Sequence, residues 1–268
     1  MGSRKLSGQR VVVTGASSGI GRAMASQLVQ GGNHVLALAR REERLLELQS
    51  ELAEADGSLL YLTGDVTSEE YRQSVSDWIE EHWNGVLDVL VNNAGVGSIR
   101  PFAESDEATL RKVMEVNFFA ALGLIRLSLQ HLRCSRSPVI CNVASVLGHT
   151  AMPAKSEYCA SKFAMHGFSD ALRIELALEG IDVVLVSPST TRSEFFASVI
   201  SGASKQTKGM SADKVASHAL KAIEKGKREV LLSWAGRCLV IADRFMPAML
   251  SRLLLRWYRH RLISESED

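Results

Sequence analysis

Seven short apolar runs recur along this chain, most of them separated by a segment long enough for a helix. That alternation constrains the fold more than any other feature. The runs are "VVVTG" (11 to 15), "HVLALA" (34 to 39), "SLLYLT" (58 to 63), "LDVLVNN" (87 to 93), "PVICNVAS" (138 to 145), "IDVVLVSP" (181 to 188) and "REVLLS" (228 to 233). Apolar runs of this length, rich in branched residues, suit strands buried on both faces. Amphipathic segments lie between them at about 19–31, 41–55, 68–83, 106–133, 154–179 and 211–225. Connections that long exclude hairpins, so the expected architecture is α/β, built of right-handed βαβ units with a parallel sheet covered on both faces.

A chain of 268 residues can bury a sizeable core, and no repeat or low-complexity tract divides it. The expectation is one domain over 1–234, followed by an extension at 235–268 that ends in the acidic "SESED". With 46% hydrophobic residues, 23% charged residues and a formal net charge of +1, the composition carries no global excess to attract nucleic acid. Cys134, Cys141, Cys159 and Cys238 make no CxxC pair, which favours a reduced, cytoplasmic setting, and no metal site is expected. The polar "MGSRKLSGQR" ahead of the first run has no signal-peptide core.

"TGASSGIG", Thr14 to Gly21, links the first run to the first helical segment. Gly15, Gly19 and Gly21 let the chain turn sharply. Backbone amides of the intervening Ser17, Ser18 and Ile20 can then approach a pyrophosphate held by the helix N-terminus. The same pattern also serves an ordinary βα turn, and its TGxxxGxG spacing matches the commoner GxGxxG only loosely. The second run ends in "LALARRE": Ala39 stands where NAD-binding folds carry an acid, with Arg40 and Arg41 after it. Guanidinium groups there suit a 2′-phosphate and favour NADP(H). The alternative is that "RREER" is the solvated first turn of a helix, with Glu42 and Glu43 serving NAD.

Further along, "GDV" contains Asp65 and Val66, "NNAG" spans Asn92 to Gly95, and Asn117, Ser145, Tyr158 and Lys162 follow in order. Thirteen positions separate Ser145 from Tyr158, and four separate Tyr158 from Lys162. In joint order and spacing these motifs resemble the short-chain dehydrogenase/reductase family in its single-domain form, over about residues 8 to 232. The resemblance implies a Rossmann-like, doubly wound seven-stranded parallel sheet. It also implies an Asp65 contact on the adenine side, and a homodimer or homotetramer formed through the helices at 106–133 and 154–179. Lys162 would hold the nicotinamide ribose and Asn117 would support a water linking Lys162 to solvent.

The residue types allow the chemistry independently. A tyrosine, with a pKa of about 10, is a sluggish acid; a lysine one helical turn away favours the phenolate. Tyr158 would be the general acid when a carbonyl is reduced, and Ser145, at the carboxyl end of the fifth run, would hydrogen-bond the substrate oxygen. Taken singly, Ser145 also reads as a strand-end cap and Asn117 as a helix residue bonding a neighbouring strand.

After the sixth run the family pattern is Pro-Gly followed by Thr. Here Pro188 is kept, Ser189 replaces the glycine and Ser193 the threonine, while Thr191 would still offer an amide to the carboxamide. The segment at about 189–210 is expected to shape the substrate pocket. Phe195 and Phe196, with Val96, Leu147 and Met152 beside Ser145 and Tyr158, point to a lipophilic substrate. The two phenylalanines would equally serve as core under that segment.

"DRFMPAMLSRLLLRWYRHRL", Asp243 to Leu262, reads as one basic amphipathic helix whose charges interrupt every apolar run well short of the ~18 residues that span a bilayer. It either lies on an anionic membrane surface or packs over the pocket or a neighbouring subunit. The whole reads as an NADP(H)-dependent oxidoreductase reducing a lipophilic ketone or aldehyde. The rival is a non-enzymatic NADP(H)-binding or membrane-associated sensor on the same fold.

Overall fold

All seven apolar runs become strands of a single parallel sheet. The computed structural model of the protein describes residues 4–192 and 209–266, with the backbone alone for 261–266. The strands are β1 (Arg10–Thr14), β2 (His34–Ala39), β3 (Ser58–Thr63), β4 (Val89–Asn92), β5 (Val139–Val143) and β6 (Asp182–Ser187). The chain then forms a separate parallel pair, β7 (Thr191–Arg192) and β8 (Met210–Ser211), before β9 (Glu229–Leu231) rejoins the sheet. The strand order is β3-β2-β1-β4-β5-β6-β9, so the winding reverses between β1 and β4, and a crevice opens there beyond the carboxyl ends of the strands.

The runs are apolar throughout because alternate residues serve opposite cores. Val11, Val13, Val35, Ala37, Val89, Val91 and Val184 face α1 (Gly19–Gln30), α2 (Glu42–Glu51) and α7 (Ala212–Glu224). Val12, Leu36, Leu90, Ile140 and Val183 face the opposite layer, which holds α3 (Glu69–Trp83) and the two long helices. Each strand residue thus loses water on its own side of the sheet, worth about 1.5–3 kcal/mol per large side chain.

Those long helices are composite. The expected helix at 106–133 is α4 (Glu107–Met114), a π-helical turn (Glu115–Phe119) and α5 (Ala120–Leu132). Taken as one, Glu107–Leu132 is long and apolar enough to cross a membrane, but Leu124, Ile125 and Leu132 are packed in the sheet core, as in a core helix. The expected helix at 154–179 is α6 (Ser156–Glu175), tightening into a 3-10 turn at Leu176–Glu179.

The C-terminal expectation needs correction. Instead of one helix from Asp243 there are two, α8 (Trp234–Phe245) and α9 (Pro247–Ser266). Pro247 supplies no N–H and disfavours helical geometry at the residue before it; Met246 sits at φ −138°, ψ 52°. The missing donor costs nothing at a helix start, so Pro247 opens α9. The Ser233 side chain accepts from the Gly236 amide at 2.9 Å and starts α8 one residue before the expected boundary of the extension.

Candidate active site

One cavity of about 1300 Å³ lies along the carboxyl edge of the sheet, from the glycine loop to α8. Gly15, Ser17, Ser18, Gly19 and Ile20 form its first wall. Gly15 has φ +68°, and a Cβ on it would sit 3.0 Å from the Ala94 backbone, so the β1 loop and the end of β4 touch where no side chain fits. Thr14 Oγ1 fastens that contact by accepting from the amides of Asn93 and Ala94, each at 2.9 Å. Gly21 and Asn92, expected as cofactor contacts, do not line the cavity. Gly21 is the buried close approach of α1 to Asn93, and Asn92 Nδ2 donates to Asn142 Oδ1 inside the sheet at 2.9 Å.

Among the helices whose capping geometry is described, α3, α4, α7 and α8 begin at a Ser or Asp that caps the first turn with its side chain. At α1, Ser18 makes no such bond and the first turn has no acid. The positive end of α1 borders the cavity with no acid in its own first turn, a setting that suits a pyrophosphate. Arg40 and Arg41 line the cavity beyond the end of β2. The Arg41 guanidinium donates to Ser17 Oγ at 3.2 Å, and Arg40 Nη1 lies 3.8 Å from Asp65 Oδ2. Asp65 accepts from the Thr67 amide and hydroxyl. Burial raises its pKa, but those bonds and the Arg40 charge leave it below its ordinary value. Val66, Ala94 and Gly95 complete this half, and Pro188 and Thr191 line the other. These residues fit a nicotinamide dinucleotide, with the glycine cradle for the pyrophosphate and two guanidinium groups at the ribose end.

The second half gathers Ser145, Tyr158 and Lys162. Ser145 follows β5 and does cap the chain as well: its Oγ accepts from the Leu147 amide at 3.1 Å and starts a 3-10 turn, Val146–Gly148. The same hydroxyl hydrogen-bonds Tyr158 from the first turn of α6. Burial pushes the Tyr158 phenol up to about 12, against the pull of Ser145. Lys162, one turn on, donates from Nζ to the Val143 carbonyl at 3.1 Å, and burial brings it down to about 8. The expected lowering of the Tyr158 pKa by Lys162 is not found: burial outweighs it and pushes the phenol up instead. Nζ is 5.7 Å from the centre of the ring, and desolvation works against charge on either group.

Asn117 does not line the main cavity. It occupies the π-helical turn, where Oδ1 accepts from the Val96 amide at 2.7 Å and Nδ2 donates to the Val96 carbonyl and to Ser161 Oγ. It clamps the loop after β4 to α6, close to the expectation of a helix residue bonding a neighbouring strand. Its Oδ1 and Lys162 Nζ both lie against Gly95, at 3.2 and 3.7 Å from where a Cβ would be. Val96, Leu147 and Met152 line the cavity, whereas Ser193, Phe195 and Phe196 lie outside the described residues.

Two features were missed. Ala235, Gly236 and Leu239 of α8 form one wall of the cavity, for which Ser233 ahead of an apolar run was the available sequence signal. His149, four residues past Ser145, is hydrogen-bonded through Nε2 to Glu229 Oε1 on β9 at 2.6 Å. Ser187 Oγ donates to that oxygen at 2.9 Å, and His166 Nδ1 meets the Gly148 carbonyl at 3.1 Å. This polar knot fastens the Ser145 turn to the sheet edge and to α6.

Comparison with known proteins gives a consistent set of likenesses. The family model described as short chain dehydrogenase matches residues 9–203. A "Dehydrogenase/reductase SDR family protein 7-like" of Anopheles gambiae is 32% identical over 246 residues, covering 86% of this chain and 77% of that protein. An NADPH-dependent pterin aldehyde reductase of Arabidopsis thaliana is 34% identical over 189 residues, 70% of this chain and 77% of that one. The crystal structure of a short-chain dehydrogenase from Streptomyces avermitilis superposes with a TM-score of 0.78 at 28% identity, covering 98% of this chain and all of that one.

Proposed function

The chain belongs to the short-chain dehydrogenase/reductase family, and from that premise we propose that it is an NADP(H)-dependent oxidoreductase reducing lipophilic ketones or aldehydes to alcohols. The observation that carries the proposal is that Ser145, Tyr158 and Lys162 line the same cavity as Arg40 and Arg41, with the glycine loop between. NADP(H) is favoured over NAD(H) because Ala39 stands where an acid would accept a ribose 2′-hydroxyl, and the two cationic residues after it, Arg40 and Arg41, line the cavity where a 2′-phosphate would sit. The NADPH-dependent relative from Arabidopsis supports this reading.

When bound, the dinucleotide supplies the hydride. The protein's own task is the proton and the charge on the carbonyl oxygen. Tyr158, held neutral by burial, is loaded as proton donor at any pH near neutrality. Ser145, already bonded to Tyr158, can turn its hydroxyl to the substrate oxygen as negative charge builds there. Lys162 stands one turn further along α6 to hold the ribose, and Asn117 positions the Val96 loop against it. Val96, Leu147, Met152 and Leu239 give the substrate end apolar walls, which supports a lipophilic substrate.

The test is NADPH oxidation across sterols, ketoacyl lipids, retinoids, small quinones and small polar ketones. Tyr158→Phe is expected to lose about 100-fold or more in turnover while retaining NADPH binding. Retained activity in that variant would overturn the tyrosine's role, and better turnover of small polar ketones would remove the lipophilic substrate. A KM for NADH at or below that for NADPH would sink the assignment of Arg40 and Arg41. Tight NADPH binding without turnover on any substrate would favour the non-enzymatic sensor.

A further inference from the structure

α8 has two faces with opposite surroundings. Ala235, Gly236 and Leu239 line the cavity, and Gly236 is buried against Val146 beside the Ser145 turn. The outward face carries Trp234, Cys238, Ile241 and Phe245 at spacings of four, three and four, so they align as one stripe. Trp234 is 79% exposed, Ile241 56% and Phe245 77%. Exposed Arg237 and Arg244, seven apart, run along the edge of that stripe.

α9 repeats the arrangement. It packs against α8 with Leu250 buried and Leu254 and Tyr258 half-buried, leaving Met249, Leu253 and Trp257 exposed at spacing four. Arg252, Arg256 and Arg259 are exposed along the adjoining edge. Residues 234–260 thus hold five arginines against a single acid, Asp243, for a formal charge of +4 in a chain whose total is +1. Large apolar side chains in water, beside guanidinium groups that form no ion pair among the described residues, do not resemble a finished protein surface. A second copy packed on these stripes would have to desolvate the arginines, whereas at a bilayer they reach lipid phosphates while the apolar groups enter the interface.

We propose that the α8–α9 pair docks peripherally on an anionic lipid bilayer. The stripe of Trp234, Ile241 and Phe245 enters the headgroup boundary, the arginines contact phosphates, and the cavity wall formed by the inner face of α8 comes to rest at the membrane surface. The pair lies on the membrane rather than crossing it, since its arginines interrupt every apolar run. This inference deepens the reading of a lipophilic substrate by naming where such a substrate would enter, but its test needs no turnover.

The full chain is sedimented with phosphatidylcholine vesicles containing about one third phosphatidylglycerol, and with phosphatidylcholine vesicles alone. Binding to the anionic vesicles is expected to be about tenfold tighter or more, and to weaken when salt is raised to ~0.5 M. The triple variant Trp234→Ser, Ile241→Ser, Phe245→Ser loses about tenfold or more in vesicle affinity, because the apolar surface that would enter the interface is removed. Arg252→Glu with Arg256→Glu abolishes the preference for anionic lipid. An unchanged melting temperature and unchanged NADPH binding show that the variants are folded. The proposal falls if the parent chain stays in the supernatant with anionic vesicles, or if the folded variants sediment as it does. It falls equally if light scattering shows that the triple variant dissociates a dimer while neither protein binds vesicles, which would identify a second copy as the cover. Docking combined with turnover of small polar ketones alone would leave the proposal standing and remove only the lipophilic substrate.

Discussion

Lys162 places an ammonium where burial penalises charge, and that conflict is measurable. Its pKa falls to about 8 in the folded protein, below the ordinary lysine value near ~10.4. Between those values the unfolded chain binds more protons than the folded one, so stability rises with pH through that window and the penalty is fully present below it. Lys162→Met removes the titrating group. Denaturant titrations from pH ~7 to ~10 are expected to show the parent chain gaining stability relative to the variant as pH rises. A constant difference across that range would mean that Lys162 is not desolvated as described. The same burial separates the residue's structural cost from its role beside Tyr158, because the cost is read without substrate or dinucleotide.

At the scale of elements, the Ser145 turn is held from outside rather than by its own short 3-10 helix. Glu229 on β9 takes hydrogen bonds from His149 and Ser187. Burial pushes its pKa up, but those bonds and the His149 and His166 charges leave it below its ordinary value. A depressed carboxylate stabilises the fold above its unfolded value, and that contribution fades as pH falls through the folded one. Glu229→Ala strips a partner from half-buried His149 and from buried Ser187 and is expected to cost about 2 kcal/mol at neutral pH, with less lost below pH ~4. An acid-side stability profile parallel to that of the parent chain would count against the knot. Sequence alone made the principal elements legible: Val11 to Val13 are apolar at every position because both faces are covered, and Tyr158 and Lys162 keep a helical spacing. It could not show the π-helical turn around Asn117, which has no period of its own, or β7 and β8, which at two residues each carry no pattern. α8 escaped because its apolar stripe faces outward, the reverse of the rule by which helices are read. Gly21 and Asn92 sit inside the glycine and NNAG motifs as framework, and spacing does not separate them from the contact residues because a motif marks both alike.

For the whole molecule, the sheet order divides the labour. β1, β2 and β3 carry the glycine loop, Arg40 and Arg41, and Asp65, while β4, β5 and β6 lead into Gly95, Ser145 and Pro188. Self-association through the long helices is a reading at this scale, and exposed Phe119 and Phe163 give it a handle. Light scattering is expected to report a dimer or tetramer for the parent chain and a monomer for Phe119→Ser with Phe163→Ser; a monomeric parent would end that reading. The four cysteines are all free, and only two are exposed: Cys238, within the α8 stripe, and Cys134, just past α5 at the amino edge of the sheet, away from the cavity. The chain therefore comes with its own pair of fluorophore attachment points, one on the α8 stripe proposed to dock and one far from it. A polarity-sensitive dye on each turns a single preparation into both reporter and internal reference, with no cysteine engineered in.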